Sequence, residues 1–413
     1  MDNSAPPPPL HHPLLHHGPF VRFLYVRVAA SIALQMQAVA VGWQMYALTG
    51  SSFQLGLVGL VQFIPAVALF LPTGHAADRY DRRTVTATAQ SIEAIAAAVL
   101  AASLAMGQLT ATLVLAMAFV VGAGRAFEQP SLQSVLPNIV PPTVLPRAIA
   151  ASNSAAQAAV VAGPALGGVL LAINPAIAFA ACTVLWLSAA LIMLGIAIER
   201  TPPRREPFDL KTMFSGVAFI GRQKVVLGAI LLDLFAVVLG NPTALLPIFA
   251  SDIFKSGPLG FGALRAAPAA GAIITALILT RHPIASRVGH AIFASVTIYG
   301  LCTILLALAP ISILAMAALF MLGAADLISV VIRQTLVQLH TPDEMRGRVF
   351  AVNSMFTSTS NQLGTFRAGS AAALFGVIPA VLLGGLSTIA VVLISAGVFR
   401  ELFRAEGYEP AKS

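Results

Sequence analysis

Charge is what this 413-residue chain has least of. Asp, Glu, Lys and Arg together make up 10% of it, while hydrophobic residues make up 58%. Soluble domains carry about 25% charged residues. From residue 28 to residue 77 there is no Asp, Glu, Lys or Arg at all. An uncharged, mostly apolar stretch of that length excludes a soluble domain and holds two bilayer crossings, since one helical crossing needs ~20 apolar residues. Cysteine is almost as scarce. Cys182 and Cys302 are the only two, both inside apolar stretches, which excludes a disulfide framework. The sequence has no phosphate-cradling Gly-Lys-Ser/Thr loop, hydrolytic triad or metal-ligand cluster, so an ATP-driven pump, an enzyme and a metal or other cofactor are not expected. No basic segment followed by an apolar core opens the chain, so no cleavable signal peptide is expected.

Apolar segments recur along the whole length. Helices are expected at about 24–48, 54–75, 85–106, 109–130, 148–171, 176–198, 224–249, 258–280, 288–308, 311–335, 349–373 and 378–399. The fold class is therefore an all-α membrane protein with twelve transmembrane helices in two six-helix bundles. Alternate connections hold nearly all the cations, among them Arg147, Arg281 and Arg287, Arg346 and Arg348, Arg400 and Arg404. That asymmetry places both termini in the cytoplasm. It also accounts for the net charge of +8 without nucleic acid as a partner. Residues 1–19 read as a disordered Pro/His-rich tail and residues 199–223, with Pro202, Pro203, Arg204 and Arg205, as a cytoplasmic linker. The linker separates bundles at 20–198 and 224–402, and residues 403–413 form a second tail.

The two halves repeat one another. Residues 142–154 read PTVLPRAIAASNS and residues 342–354 read PDEMRGRVFAVNS. Two related six-helix halves are the mark of a transporter whose halves rock around a central site.

Five charges arrive together in the hairpin after the second helix, within the pattern Gly74, Asp78, Arg79, Arg82, Arg83. Gly permits close helix approach, Asp suits a neighbouring helix N-terminus, and the arginines pair with carboxylates or lipid phosphates. This hairpin resembles the loop motif of the major facilitator superfamily, and the resemblance covers nearly the whole chain. Gly163, Pro164, Gly167 and Gly168 in helix five resemble the antiporter motif of its proton-driven exporters. The second-half strings DLFAVVLG from Asp233, LRAAP from Leu264 and TPDEMRGRV from Thr341 look like the enterobactin-exporter-like, or transmembrane secretion effector, branch. Residues 361–369 read NQLGTFRAG, with Gln362, Thr365 and Arg367 in a stretch where that branch is often acidic. The resemblance implies drug or siderophore efflux across a bacterial inner membrane.

Ionisable residues inside apolar segments cost at least ~2.5 kcal/mol at mid-membrane unless they face a wet cavity or a partner. Asp233, Asp326 and Glu93 are the candidates for proton coupling, with Arg265 and Arg333 as charge partners. Asp326 and Arg333 are seven residues apart and share a helix face. Arg125 and Glu128 are expected to join the cytoplasmic gate, Glu128 pairing with Arg79 or Arg82. Gln35, Gln37, Gln44 and Asn241 are candidate pathway residues. His11, His12, His16 and His17 belong to the N-terminal tail and are not read as a metal site.

These residues point to proton-coupled export of a small amphipathic molecule, siderophore-like or a hydrophobic antibiotic, by alternating access. Partners are that substrate, protons and the bilayer. The oligomeric state is open, and a monomer suffices. An uptake symporter or lipid flippase of the same fold, and a membrane sensor that transports nothing, remain as alternatives.

Overall fold

The computed structural model describes residues 17–69, 72–73, 79–197 and 217–408. Gly74, Asp78, residues 198–216, residues 1–16 and residues 409–413 lie outside the described residues. Twelve helices of 17 residues or more run through them: α1 Gly18–Thr49, α2 Ser52–Ala68, α3 Arg82–Ala105, α4 Ala111–Val135, α5 Leu145–Ile173, α6 Pro175–Leu194, α7 Lys224–Gly240, α8 Gly257–Arg281, α9 Val288–Leu308, α10 Ser312–Leu339, α11 Asp343–Phe375 and α12 Val377–Val398. The protein is all-α and spans a membrane many times. Ten of the described helices are long and apolar enough to cross a bilayer; α2, at 17 residues, is too short for that test, and α11 is too polar.

Short caps end and start these helices where the apolar pattern breaks. Gly50 takes φ 58 at the end of α1, and Ser51 accepts a bond from Gln54 N–H to start α2. Asp81, Thr110 and Asn174 cap α3, α4 and α6 in the same way. Gly376 turns the chain from α11 to α12 at φ 88, a conformation glycine adopts at no steric cost.

Several boundaries differ from the sequence expectation. Helix α1 begins at Gly18, within the expected 1–19 tail and not at residue 24, because Pro19 suits the first turn of a helix, and α2 ends at Ala68, not residue 75, after Pro65. The expected helix 224–249 stops at Gly240, because Pro242 has no N–H and holds Asn241 extended, with ψ 114. The chain then proceeds through tighter turns to Ile253. Helix α4 runs on past Pro130 to Val135. Helix α11 begins at Asp343, not residue 349.

The helices pack with internal pseudo-symmetry. In the first six, the most extensive pairings are α1–α5, α1–α6, α3–α6, α3–α4 and α2–α4. In the last six they are α7–α11, α7–α12, α9–α12, α9–α10 and α8–α10, the same set shifted by six helices. Two further pairings, α2–α11 and α5–α8, join the halves and exchange under the same operation. Large apolar side chains such as Val184, Leu277 and Leu393 face outward, as a bilayer requires.

The apolar core is not evenly distributed. One cluster takes residues from both halves, among them Val39, Met45, Leu171, Leu246, Phe261 and Ala368. These lie near the ends of the helices remote from the arginine-rich connections. At the arginine-rich end the clusters separate: Phe20, Val135 and Met193 belong to one confined to the first half. Ile292, Ile332 and Leu402 belong to one confined to the second.

Candidate functional site

A group of polar and charged side chains lies inside the helices of the second half. Asp233 sits in the middle of α7 and Arg333 on α10, and both side chains are buried. Their Nη2 and Oδ2 atoms are 3.2 Å apart. The other end of the guanidinium is held by α11: Arg333 Nη1 donates to Asn353 Oδ1 at 2.7 Å and to Thr357 Oγ1 at 3.2 Å. Asp326, two turns earlier on α10, makes no salt bridge among the described residues. The spacing of 326 and 333 on one face suggested a mutual pair; the guanidinium instead reaches the carboxylate of another helix.

Asp233 and Asp326 line one cavity of ≈ 10 Å³ together with Ser295, Tyr299 and Ser329, about the space of a single water. Ser329 Oγ is buried there without a hydrogen-bond partner. Ser295 Oγ already donates to Ile292 O at 2.8 Å, so its lone pairs remain open. Arg367 lies beyond, its Nε donating to Val238 O at 3.1 Å.

The first half holds a smaller acidic group. Glu93 of α3 is fully buried, and neither of its carboxyl oxygens has a hydrogen-bond partner. Glu128 of α4 accepts from Gln90 Nε2 at 2.9 Å and lies 3.9 Å from Arg125 Nη1. The expected contact of Glu128 with Arg79 or Arg82 is not formed. Arg82 Nη1 donates to Ser134 O at 3.0 Å, Arg79 is exposed, and Arg83 pairs with Asp81 at 2.7 Å and donates to Ile196 O at 2.8 Å. The hairpin arginines thus tie the ends of α3, α4 and α6 together within one half.

Glycines set how closely the halves approach. A Cβ built on Gly168 of α5 would stand 2.8 Å from Gly262 Cα of α8, and one on Gly369 of α11 would stand 2.6 Å from Gly56 Cα of α2. No real side chain tolerates that spacing, so the backbones touch only because all four are glycine. Gly163 and Gly167 serve another contact: a Cβ on Gly163 would lie 2.5 Å from Gln35 Cβ and one on Gly167 3.2 Å from Met36 Cα, both on α1. Pro164 O packs on Gly262. Near the same end, Tyr46 Oη donates to Asp252, and Trp43 stacks on Phe261 with ring centroids 6.0 Å apart. Both contacts cross between halves.

The neutral candidates divide. Gln35 is half-buried on α1 against Gly163. Gln37 and Gln44 are buried, and Gln37 Oε1 has no partner. Asn241 caps the turn after α7, its Oδ1 accepting from Thr243 N and Oγ1 at 3.0 and 2.6 Å. Arg265, expected as a charge partner, is half-buried on α8 and forms no ion pair or hydrogen bond among the described residues.

Sequence reasoning missed Tyr299, Ser295, Ser329, Asn353, Tyr46 and Asp252. Only Asn353 carried a signal, as part of the 200-residue repeat.

The family model described as "Transmembrane secretion effector" matches residues 12–410. The macrolide efflux protein A of Streptococcus pyogenes is 25% identical over 378 residues, covering 89% of this chain and 92% of that protein. The enterobactin exporter of Shigella dysenteriae serotype 1 is 26% identical over 386 residues, covering 92% and 88%. Among solved structures, the nucleoside transporter NupG superposes with a TM-score of 0.72 at 14% identity, covering 94% of this chain and 100% of that one. A POT family transporter in complex with 5-aminolevulinic acid gives 0.73 at 12%, covering 93% and 96%. These two likenesses show the fold alone.

Proposed function

Because this chain belongs to the transmembrane secretion effector family of the major facilitator superfamily, secondary transporters that move small molecules across a bacterial membrane, we propose that it exports an amphipathic molecule in exchange for protons. The twelve helices cross the inner membrane in two six-helix bundles, 20–198 and 224–402, with both termini in the cytoplasm. The relatives named for macrolide and enterobactin export supply the candidate cargo classes, a hydrophobic antibiotic or a siderophore-like metabolite.

The observation that carries the coupling is the imbalance at the second-half cluster: buried Asp233 and part-buried Asp326 line one cavity, and the Arg333 guanidinium pairs with Asp233 alone among the described residues. A buried charge without a partner is costly, so the second carboxyl is suited to hold and release a proton. With Asp326 protonated, Arg333 stays on Asp233 and joins α7 to α10 and α11. With Asp326 ionised, two anions compete for one cation, and the joint loosens. Glu93, the first-half candidate, packs on Gly124 of α4 close to the Arg125–Glu128 pair and is assigned a structural role.

The arginine-rich end, where the apolar clusters are separate, is read as the open cytoplasmic side. The opposite end is held by the two glycine contacts and by Tyr46 on Asp252. Rocking the halves about the α2–α11 and α5–α8 seams opens one end as it closes the other. Gly74, Asp78, Arg79, Arg82 and Arg83 gate the cytoplasmic side, with Arg125 and Glu128 behind them.

The test is proton flux in proteoliposomes with an imposed pH gradient, adding siderophores, macrolides, tetracyclines and dyes in turn. Gradient collapse triggered by one compound supports exchange. Flux that needs substrate and protons on the same side instead indicates symport and refutes export.

A further inference from the structure

Five arginines lie well inside the described helices: Arg27, Arg125, Arg265, Arg333 and Arg367. Four of them are engaged. Arg27 Nη2 donates to Asn153 Oδ1 at 2.8 Å, Arg125 lies 3.9 Å from Glu128, Arg333 bridges to Asp233, and Arg367 donates to Val238 O. Arg265 alone among them has no hydrogen-bond or ionic partner among the described residues.

Its direction follows from the helix it stands on. The lipid face of α8 is marked by Leu259, Ile274 and Leu277, exposed at 55%, 48% and 63%. The same side carries Ala263, Ala266 and Ala270, which with Met316 and Phe320 of α10 line an open apolar groove. At about 100° per residue, Arg265 points roughly opposite that face. One turn earlier on its own side, Phe261 is fully buried and stacks on Trp43 of α1. Gly262 meets α5, while Pro268 and Gly271 meet α10, so Arg265 projects between those contacts toward the space between the halves. Eight residues into α8, it lies about 12 Å along the axis from the helix start. That is close to the middle of a ~30 Å hydrocarbon layer, too deep for the side chain to reach a headgroup.

A guanidinium kept at that depth with no counter-ion is costly, and an anion brought beside it recovers much of the cost through charge-assisted, bidentate bonding. We propose that Arg265 is the binding point for an acidic group on the cargo, so that the transported class is an apolar molecule carrying a carboxylate or similar anion, not a neutral or basic one. This rests on the transporter reading above and narrows it. Arg333 and Arg367 differ from it in being tied down: Arg333 by Asp233 of α7 and by Asn353 and Thr357 of α11, Arg367 through Nε to Val238 O of α7. The aromatic pair Trp43–Phe261 beside the guanidinium offers a flat apolar surface for the rest of the molecule.

The experiment uses the full chain in lipid nanodiscs and three probes with one ring system: 2-naphthoate, 2-naphthylmethanol and 2-naphthylmethylamine. Binding is read by calorimetry and by quenching of Trp43 fluorescence, with Trp43→Phe as the control for the signal of buried Trp186. Naphthoate is expected to bind about tenfold tighter than the alcohol, and the amine weakest. Arg265→Gln should bring naphthoate down to the level of the alcohol, while Arg265→Lys retains most of the preference; melting curves establish that both variants are folded. An acid preference unchanged in Arg265→Gln, a preference for the amine, or no binding of any probe overturns the proposal. Gradient-driven export of neutral or basic compounds that ignores Arg265→Gln also overturns it and leaves the exporter reading standing. Naphthoate binding that depends on Arg265, in a protein that moves nothing, upholds Arg265 as an anion-binding point and overturns the exporter reading and the cargo assignment with it.

Discussion

Asn153 and Asn353 occupy matching places in the two halves, and each accepts a bond from a guanidinium, Arg27 at 2.8 Å and Arg333 at 2.7 Å. The arginines do not match: Arg27 stands on α1, Arg333 on α10. The duplicated backbone has kept the acceptor and changed the donor. Among the described residues the first-half guanidinium meets a neutral amide alone, whereas in the second it also meets Asp233. That difference is why the coupling role is assigned to the second half.

Removing one partner of the buried Asp233–Arg333 pair should destabilise the fold by about 3–5 kcal/mol, since the other is left charged and unpaired. Asp233→Asn and Arg333→Met are each expected to melt well below the parent, and the double variant to recover part of the loss. Thermal unfolding in detergent measures this; single variants that melt like the parent would mean the pair is not formed.

Asp326→Asn should leave substrate binding intact and abolish the dependence of transport on the pH gradient, because its carboxyl is the one outside the ion pair. Glu93→Gln should retain it, since the Glu93 carboxyl is enclosed between α3 and α4 and lines no cavity shared with the Asp233–Arg333 pair. Vesicle flux at two imposed gradients separates the variants, and equal behaviour would move the proton site elsewhere.

Gly168→Ala and Gly369→Ala should each force the halves apart at the end remote from the arginine-rich connections. The added Cβ would meet backbone at 2.8 and 2.6 Å, which no rotamer relieves. Spin labels placed across α5–α8 and α2–α11 at that end should report a longer mean distance. An unchanged distance with a normal melting temperature would dismiss glycine contact as the determinant of closure.

Tyr46→Phe and Asp252→Ala remove the same cross-half bond from opposite sides. Both should raise alkylation of a cysteine introduced beside Trp43 by a membrane-impermeant reagent, to a similar extent, and the double variant should add little. Additive effects would show that the two side chains act separately.

Helix positions were legible in the sequence because apolar runs and Gly/Pro turns are local properties. The repeat was legible too, since residues 142–154 and 342–354 share Pro, Ala, Asn and Ser. Partnerships were not. The seven-residue spacing of Asp326 and Arg333 gives only a shared helix face; which carboxylate the guanidinium reaches depends on how α7, α10 and α11 pack. The glycine contacts were half visible: Gly168 stood in a recognised motif, but its partner Gly262 lies in a run of small residues with nothing to mark it. Tyr46 on Asp252 depends on the break at Pro242, which turns the chain after α7 toward α1.

Helix α11 carries Asn353, Thr357, Asn361, Gln362, Thr365 and Arg367 along its length and falls short of the hydropathy of the ten spanning helices. Presented alone to the membrane-insertion machinery, such a segment partitions poorly into lipid. The strongly apolar α12 follows it immediately across Gly376, and α2, made long before, offers it Gly56 and Gln62. α11 is therefore expected to enter the bilayer as one arm of a hairpin with α12, against the α2 face that supplies Gly56 and Gln62. Truncation before α12 should therefore leave α11 outside the membrane, and with it Asn353 and Thr357, the partners that hold Arg333.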